Sequence, residues 1–238
     1  MQTQDVELGF LATPESGPCP GVVLIHDVWG LTDHARDLAQ RLSGEGFAVL
    51  ALDLYRRLDE VKIDNPGAWM RALSDPQVLG DVQAGADFLA AQVISEGRRI
   101  GVIGFCMGGM YALMAGARCT GLAASVPFYG LLSHQHGILH SEAGLDPTLK
   151  PKEPLELARD LRCPTLAFYG DRDEFVPISD IELLKDRFEQ SPQSAEAVVY
   201  PGAGHAFMND TRPDAYRPED AADAWQQMVA FLTKHLNR

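Results

Sequence analysis

The sequence lacks the long apolar stretch of a membrane span: no run approaches the ~20 residues needed to cross a bilayer. It also lacks a surplus of basic residues. Lysine and arginine number 20 against 33 aspartates and glutamates, a net charge of −13. Such a surface repels nucleic-acid phosphates and anionic membranes. There is no C-x-x-C pair among its cysteines, Cys19, Cys106, Cys119 and Cys163. That fits free thiols in a reducing compartment and leaves one of them open to special chemistry. Repeats and low-complexity tracts are absent as well. The opening stretch, residues 1–9, is polar and acidic, unlike a signal peptide, so a cytoplasmic location is expected. What is present is ordinary for a globular protein: 46% apolar and 8% aromatic residues. A length of 238 residues suits a single domain with one sizeable core. The expected assembly is a monomer or a small homo-oligomer.

Short apolar runs recur at 22–25, 47–52, 100–103, 123–128, 165–169 and 197–200, and residues 5–12 read as a first strand. Runs that do not alternate suit strands buried on both faces, as in a parallel sheet. Helical patterns lie between them, at 33–43, 76–95, 107–118, 179–190 and 219–236. In the first, Thr32 is placed to cap, Ala35, Leu38, Ala39 and Leu42 form a stripe, and Gly44 and Gly46 end it. Strands alternating with helices predict a doubly wound, mostly parallel sheet flanked by helices, with right-handed crossovers. One segment breaks the rhythm. Residues 131–153 are rich in His, Gly, Pro and Lys, and read as an excursion over the sheet edge, a partial lid.

The strongest local signal is Gly104-Phe105-Cys106-Met107-Gly108-Gly109, between an apolar run and a helical segment. That context predicts a sharp strand–turn–helix elbow with Cys106 held out at the top of the sheet. The glycines allow strand and helix backbones to crowd, and the helix N-terminus favours a thiolate. A thiol nucleophile needs a base, and the base an orienting acid. His205, in a glycine-flanked loop after the last apolar run, is the candidate base. His134, His136 and His140 cluster on the excursion without clear metal spacing, and His34 and His235 read as surface helix residues. The acid lies in Gly170-Asp171-Arg172-Asp173, where both aspartates compete. The first long strand ends in His26-Asp27-Val28-Trp29-Gly30, a loop expected to face the elbow. The backbone N–H groups of Val28 and Met107 would form an oxyanion hole. Asp27 reads as a site group or a turn residue, and Trp29 as a substrate contact or core. Tyr55 and Arg56 read as pocket lining or as packing and surface, and Phe207 beside the histidine is a further substrate-binding candidate.

At these residues the sequence resembles the dienelactone hydrolase family of α/β-hydrolases. The resemblance runs through His26-Asp27-Val28-Trp29-Gly30-Leu31, Asp53-Leu54-Tyr55-Arg56-Arg57, the elbow, Gly170 to Pro177 and Gly204-His205-Ala206-Phe207. It implies an α/β-hydrolase fold and a Cys106–His205–Asp173 triad, choosing Asp173 over Asp171, with Asp27 as an auxiliary group on the resting thiol. It implies hydrolysis of small esters or lactones through a thioester, without metal or cofactor. A broad carboxylesterase is one rival and a non-catalytic redox-sensing thiol protein another. Two departures stand out: Asp27 replaces the family's Glu, and Ala206 replaces a Ser after the histidine.

Overall fold

In the computed structural model, which describes residues 1–15, 17–92 and 99–237, the apolar runs join one eight-stranded sheet. In chain order the elements are β1 (Gln2–Val6), β2 (Gly9–Thr13), β3 (Gly21–Ile25), α1 (Asp33–Gly44), β4 (Ala48–Leu52), α2 (Pro66–Ala72) and α3 (Asp75–Ala91). There follow β5 (Ile100–Phe105), α4 (Met107–Arg118), β6 (Leu122–Phe128), α5 (Pro154–Leu157), β7 (Thr165–Gly170), α6 (Ile178–Glu189), β8 (Ala195–Tyr200) and α7 (Pro218–Leu236). The strand order is β1-β2-β4-β3-β5-β6-β7-β8. The pairings from β4 to β8 are parallel, and β1 and β2 add an antiparallel edge. The carboxyl ends of β3, β5, β7 and β8 therefore open on the same edge of the sheet, where an open α/β sheet binds its ligands.

Two cores sandwich the sheet, one per face, because successive strand side chains point to opposite sides. Val23, Ile25, Leu50 and Leu52 pack with residues of α3, α4 and α6, such as Val82, Leu113 and Ile181. Val22, Leu24, Val49 and Ala51 pack with Leu38 and Leu42 of α1 and Met228 and Leu232 of α7. Thr32 caps α1 as expected, its Oγ1 accepting the Ala35 N–H at 3.4 Å.

Three expectations need correction. The expected strand at 5–12 is a hairpin, β1 and β2, turning at Glu7-Leu8. Strand β1 is an exposed polar edge without the apolar pattern that marks inner strands. Helix α2 was not expected. At seven residues it is too short for a periodic stripe, although Asn65, accepting the Ala68 N–H at 2.9 Å, and Pro66 in its first turn are start signals. The 76–95 pattern is α3, ending at Ala91; residues 93–95 lie outside the described residues.

The excursion at 131–153 is tied down by polar groups. Lys150 Nζ reaches Asp75 Oδ1 at 2.6 Å and the Tyr111 hydroxyl at 3.2 Å, and the Tyr111 hydroxyl donates to the same Asp75 oxygen at 2.9 Å. The side chains of Asp75 and Lys150 are both 1% exposed. Arg71 of α2 donates to the carbonyls of Ile138 and His140, each at 3.2 Å.

Candidate active site

The β5–α4 turn holds Cys106 at φ 56, ψ −118, a conformation that L residues rarely adopt and that persists only where the surroundings enforce it. The enforcing contacts are glycines. A Cβ at Gly104 would lie 2.0 Å from the Gly108 carbonyl oxygen, and one at Gly108 would lie 2.2 Å from that of Ile25. The Cys106 N–H donates to the Phe128 carbonyl at 3.0 Å, locking the turn to β6. Cys106 is half-buried and faces a cleft also lined by Asp27, Trp29, Tyr129 and His205. The other three cysteines are buried. Burial pushes Cys119 up to about 11 and Cys163 up to about 12.

His205 follows β8 and Asp173 follows β7. His205 Nδ1 donates to Asp173 Oδ2 at 2.8 Å. Asp173 Oδ1 accepts the N–H groups of Phe175 at 2.8 Å and Val176 at 3.2 Å, so the carboxylate is held at both oxygens. Asp171 instead points outward and accepts the Gly202 N–H at 2.6 Å, bracing the turn before His205. The edges of Tyr129 and Phe175 pack on the His205 ring at 5.0 and 4.9 Å. Burial disfavours the imidazolium, yet the electrostatic interaction with Cys106 and the bond to Asp173 outweigh it, pushing His205 up to about 10. His205 Nε2 is buried and has no well-aligned hydrogen bond among the described residues, although Cys106 is close enough to raise the ring's proton affinity. Such contacts are often loose without substrate and tighten when it binds.

The loop after β3 is tightly fixed. Buried His26 donates from Nδ1 to the Asp27 carbonyl at 2.5 Å and accepts the Leu54 N–H at Nε2, at 3.2 Å. This defines a neutral tautomer, and burial lowers the proton affinity of the ring in agreement. Asp27 Oδ1 accepts the Trp29 N–H at 2.9 Å. The buried Tyr55 hydroxyl donates to the Val28 carbonyl at 2.9 Å and lies 3.6 Å from Met107 Sδ. Tyr55 thus spans the two residues expected to supply oxyanion donors. The Met107 N–H opens α4 and has no partner within the helix.

Several candidate side chains carry two readings in the sequence, and the structure places each of them. Tyr55 is not cleft lining; it is buried behind the Val28 loop. Arg56 is drawn away to Asp81 Oδ1 at 2.7 Å, which Arg57 also reaches at 2.6 Å, because a buried carboxylate needs cationic partners. Phe207 is fully buried against Tyr129 and Tyr200. Trp29 lines the cleft and is 50% exposed. His34 is no surface residue: it lines the cleft, as do Thr32, Asn209 and Arg212. Helix register alone could not aim these at Cys106; only the packing of α1 beside the 205–212 loop does so. The excursion's histidines part company: His134 lies 3.6 Å from Asp75, His136 bonds Asp180 at 3.1 Å, and His140 meets the Gln135 carbonyl at 2.8 Å. Among the described residues, no group of three or more His, Cys, Asp or Glu side chains is placed to hold a metal.

A doubly wound sheet with a strained elbow residue on β5 and a carboxylate–histidine pair on the following strand ends defines an α/β-hydrolase-fold protein. The sequence profile of the dienelactone hydrolase family matches residues 8–236, and the chain belongs to that family. It is 34% identical over 233 residues to a Bradyrhizobium protein bearing the name 2-oxo-3-(5-oxofuran-2-ylidene)propanoate lactonase, covering 96% of this chain and 90% of that one. It is 32% identical over 226 residues to a Methylorubrum extorquens protein bearing the name carboxymethylenebutenolidase, covering 93% of this chain and 74% of that one. A crystal structure from Klebsiella pneumoniae, described as a dienelactone hydrolase, superposes with a TM-score of 0.83 at 32% identity, covering 94% of this chain and 92% of that one. Among the described residues, no helix is long and apolar enough to cross a membrane.

Proposed function

We propose that the chain hydrolyses ester or lactone bonds of small molecules through a cysteine nucleophile and a thioester intermediate. The observation that carries this reading is the buried Asp173–His205 pair, whose Nε2 lies at the side of Cys106 on its elbow. In the proposed cycle His205 holds the thiol proton while the Cys106 sulfur attacks the substrate carbonyl. The N–H groups of Val28 and Met107 take the developing oxyanion, with the Asp27–Val28 peptide held at its carbonyl by His26 and the following peptide by Tyr55 at the Val28 carbonyl. The imidazolium then protonates the leaving alkoxide, and the thioester forms. Water enters, His205 removes its proton, and the carbonyl–sulfur bond breaks to release the acid and restore the thiol. Asp173 fixes the tautomer and offsets the charge on the ring throughout.

The substrate class follows from the same groups. A thiolate leaves more readily than an amine, so the intermediate of an unactivated amide returns to reactants, whereas enol esters and lactones go forward. The names of the relatives, a lactonase and a carboxymethylenebutenolidase, point the same way. Asp27, in the same cleft as Cys106, is proposed as an auxiliary group acting on the resting thiol. The 131–153 excursion is proposed to frame access to the site: Gly137 lies against the Phe175 carbonyl, and the Phe175 ring packs on His205. No cofactor enters the cycle. Four cysteines without a C-x-x-C pair fit a reducing, cytoplasmic setting.

Hydrolysis of p-nitrophenyl acetate tests the reading. Cys106→Ala is expected to lose at least ~10³-fold in kcat, as other enzymes do without their nucleophile. Mass spectrometry of the wild type during turnover is expected to show an acyl adduct on Cys106. A Cys106→Ala protein that keeps its activity would overturn the cysteine mechanism.

A further inference from the structure

One wall of the cleft carries groups that the proposed cycle leaves unused. His34 is the second residue of α1, and its ring lines the cleft together with Cys106 and His205. The side chain is 14% exposed, and its Nδ1 is buried without a hydrogen bond among the described residues. Asp210 faces Nδ1, with Oδ1 at 3.6 Å, while Arg41 Nη1 holds Asp210 Oδ2 at 2.7 Å. Burial depresses the proton affinity of His34 more than Asp210 and Asp27 raise it, and Arg41 acts in the same direction as burial. The ring is therefore neutral at pH 7.

A neutral imidazole has one N–H and one lone pair. A carboxylate facing Nδ1 selects the tautomer with its proton there, which leaves the lone pair on Nε2 as the ring's polar offering to the cleft. Asp27 adds a second acceptor: Oδ1 is taken by the Trp29 N–H at 2.9 Å, leaving Oδ2 to the cleft it lines. Thr32, Asn209 and Arg212 line the same cleft, but their bonds among the described residues go to Ala35, Thr211 and Asp214, so the two acceptors are left for a donor on the ligand, and the donor compatible with an ester or lactone is a hydroxyl.

We propose that His34 is a specificity-determining residue: its Nε2 accepts a hydrogen bond from a hydroxyl group of the substrate, so that hydroxylated esters or lactones are favoured over plain ones. The inference rests on the hydrolase reading above. Asp210 is a positioning residue that sets the tautomer.

The test is the ratio of kcat/KM for p-nitrophenyl 3-hydroxybutyrate to that for p-nitrophenyl butyrate. Wild type is expected to favour the hydroxylated ester. His34→Phe keeps a ring and His34→Ala removes it; neither retains an acceptor, so both are expected to lower the ratio by about tenfold, the usual worth of one buried hydrogen bond in discrimination. His34→Gln restores an acceptor oxygen and is expected to recover most of the ratio. If His34→Ala does not fold, the Phe and Gln pair still decides. A ratio unchanged by Phe, or lowered equally by Phe and Gln, overturns the role of His34 while leaving the hydrolase reading intact. A wild type that hydrolyses neither ester overturns the hydrolase reading and this inference with it.

Discussion

At Asp173 a single carboxylate serves three donors. One oxygen accepts two backbone N–H groups and the other faces His205, so any change at this position acts on the ring through geometry already fixed. Asp173→Asn can present its amide N–H to Nδ1, forcing the proton to Nε2, where it cannot take the thiol proton. Its kcat is expected to fall by roughly 10⁴-fold, the loss seen when a triad acid becomes an amide. Asp171→Asn keeps a side-chain oxygen that can accept the Gly202 N–H and is expected to cost less than about tenfold, within the net worth of one hydrogen bond. Steady-state kinetics on both variants check the ranking, and a larger loss at Asp171 would show that the acid is misassigned. Both aspartates follow the same strand two residues apart. Sequence logic alone does not separate them, and the family resemblance selects Asp173.

At the level of elements, the excursion from 131 to 153 hangs on a buried ion pair. Lys150 reaches Asp75 at the first residue of α3, and Tyr111 of α4 shares the same oxygen. Burial pushes Asp75 up and Lys150 down, each opposed by the partner's charge, so the two are stable only together. Lys150→Met is expected to destabilise the fold by about 3–5 kcal/mol, because it strands a buried carboxylate. The double change Asp75→Leu with Lys150→Met is expected to recover much of that loss. Urea denaturation of the two singles and the double closes the cycle. Additive losses in the double would mean that the pair does not act as a unit. Nothing in the local sequence of Lys150 announces this partner, which is 75 residues away.

For the whole molecule, the charge on His205 links the active site to global stability. Its proton affinity is raised in the folded chain, to about 10 from an ordinary value of 6.5. A raised value means that the contribution is complete below pH 6.5 and is lost as pH climbs toward 10. The stability gap between wild type and His205→Gln is therefore expected to shrink steadily from pH 6 to pH 10 in denaturation experiments. A gap that stays constant with pH would mean that His205 is not held protonated in the fold. The same coupling is invisible in composition. The net charge of −13 describes the surface and its partners, whereas the His205 shift comes from Cys106 and Asp173, gathered beside it by neighbouring strand ends.

The sequence by itself determined the alternation of strands and helices, because apolar periodicity and caps such as Thr32 are local facts of the chain. It determined the elbow too, since glycines at 104, 108 and 109 around a cysteine leave few other conformations for that turn. It could not show the edge hairpin, where exposed residues carry no pattern, nor the short α2. The tertiary structure decided which of two aspartates meets His205 and that Arg56 turns to Asp81. It also decided that Tyr55 supports the Val28 loop from behind, and that His34 looks into the cleft. These choices depend on which elements are neighbours in the sheet, and on the need of each buried charge and hydroxyl to find a partner, wherever in the chain that partner lies.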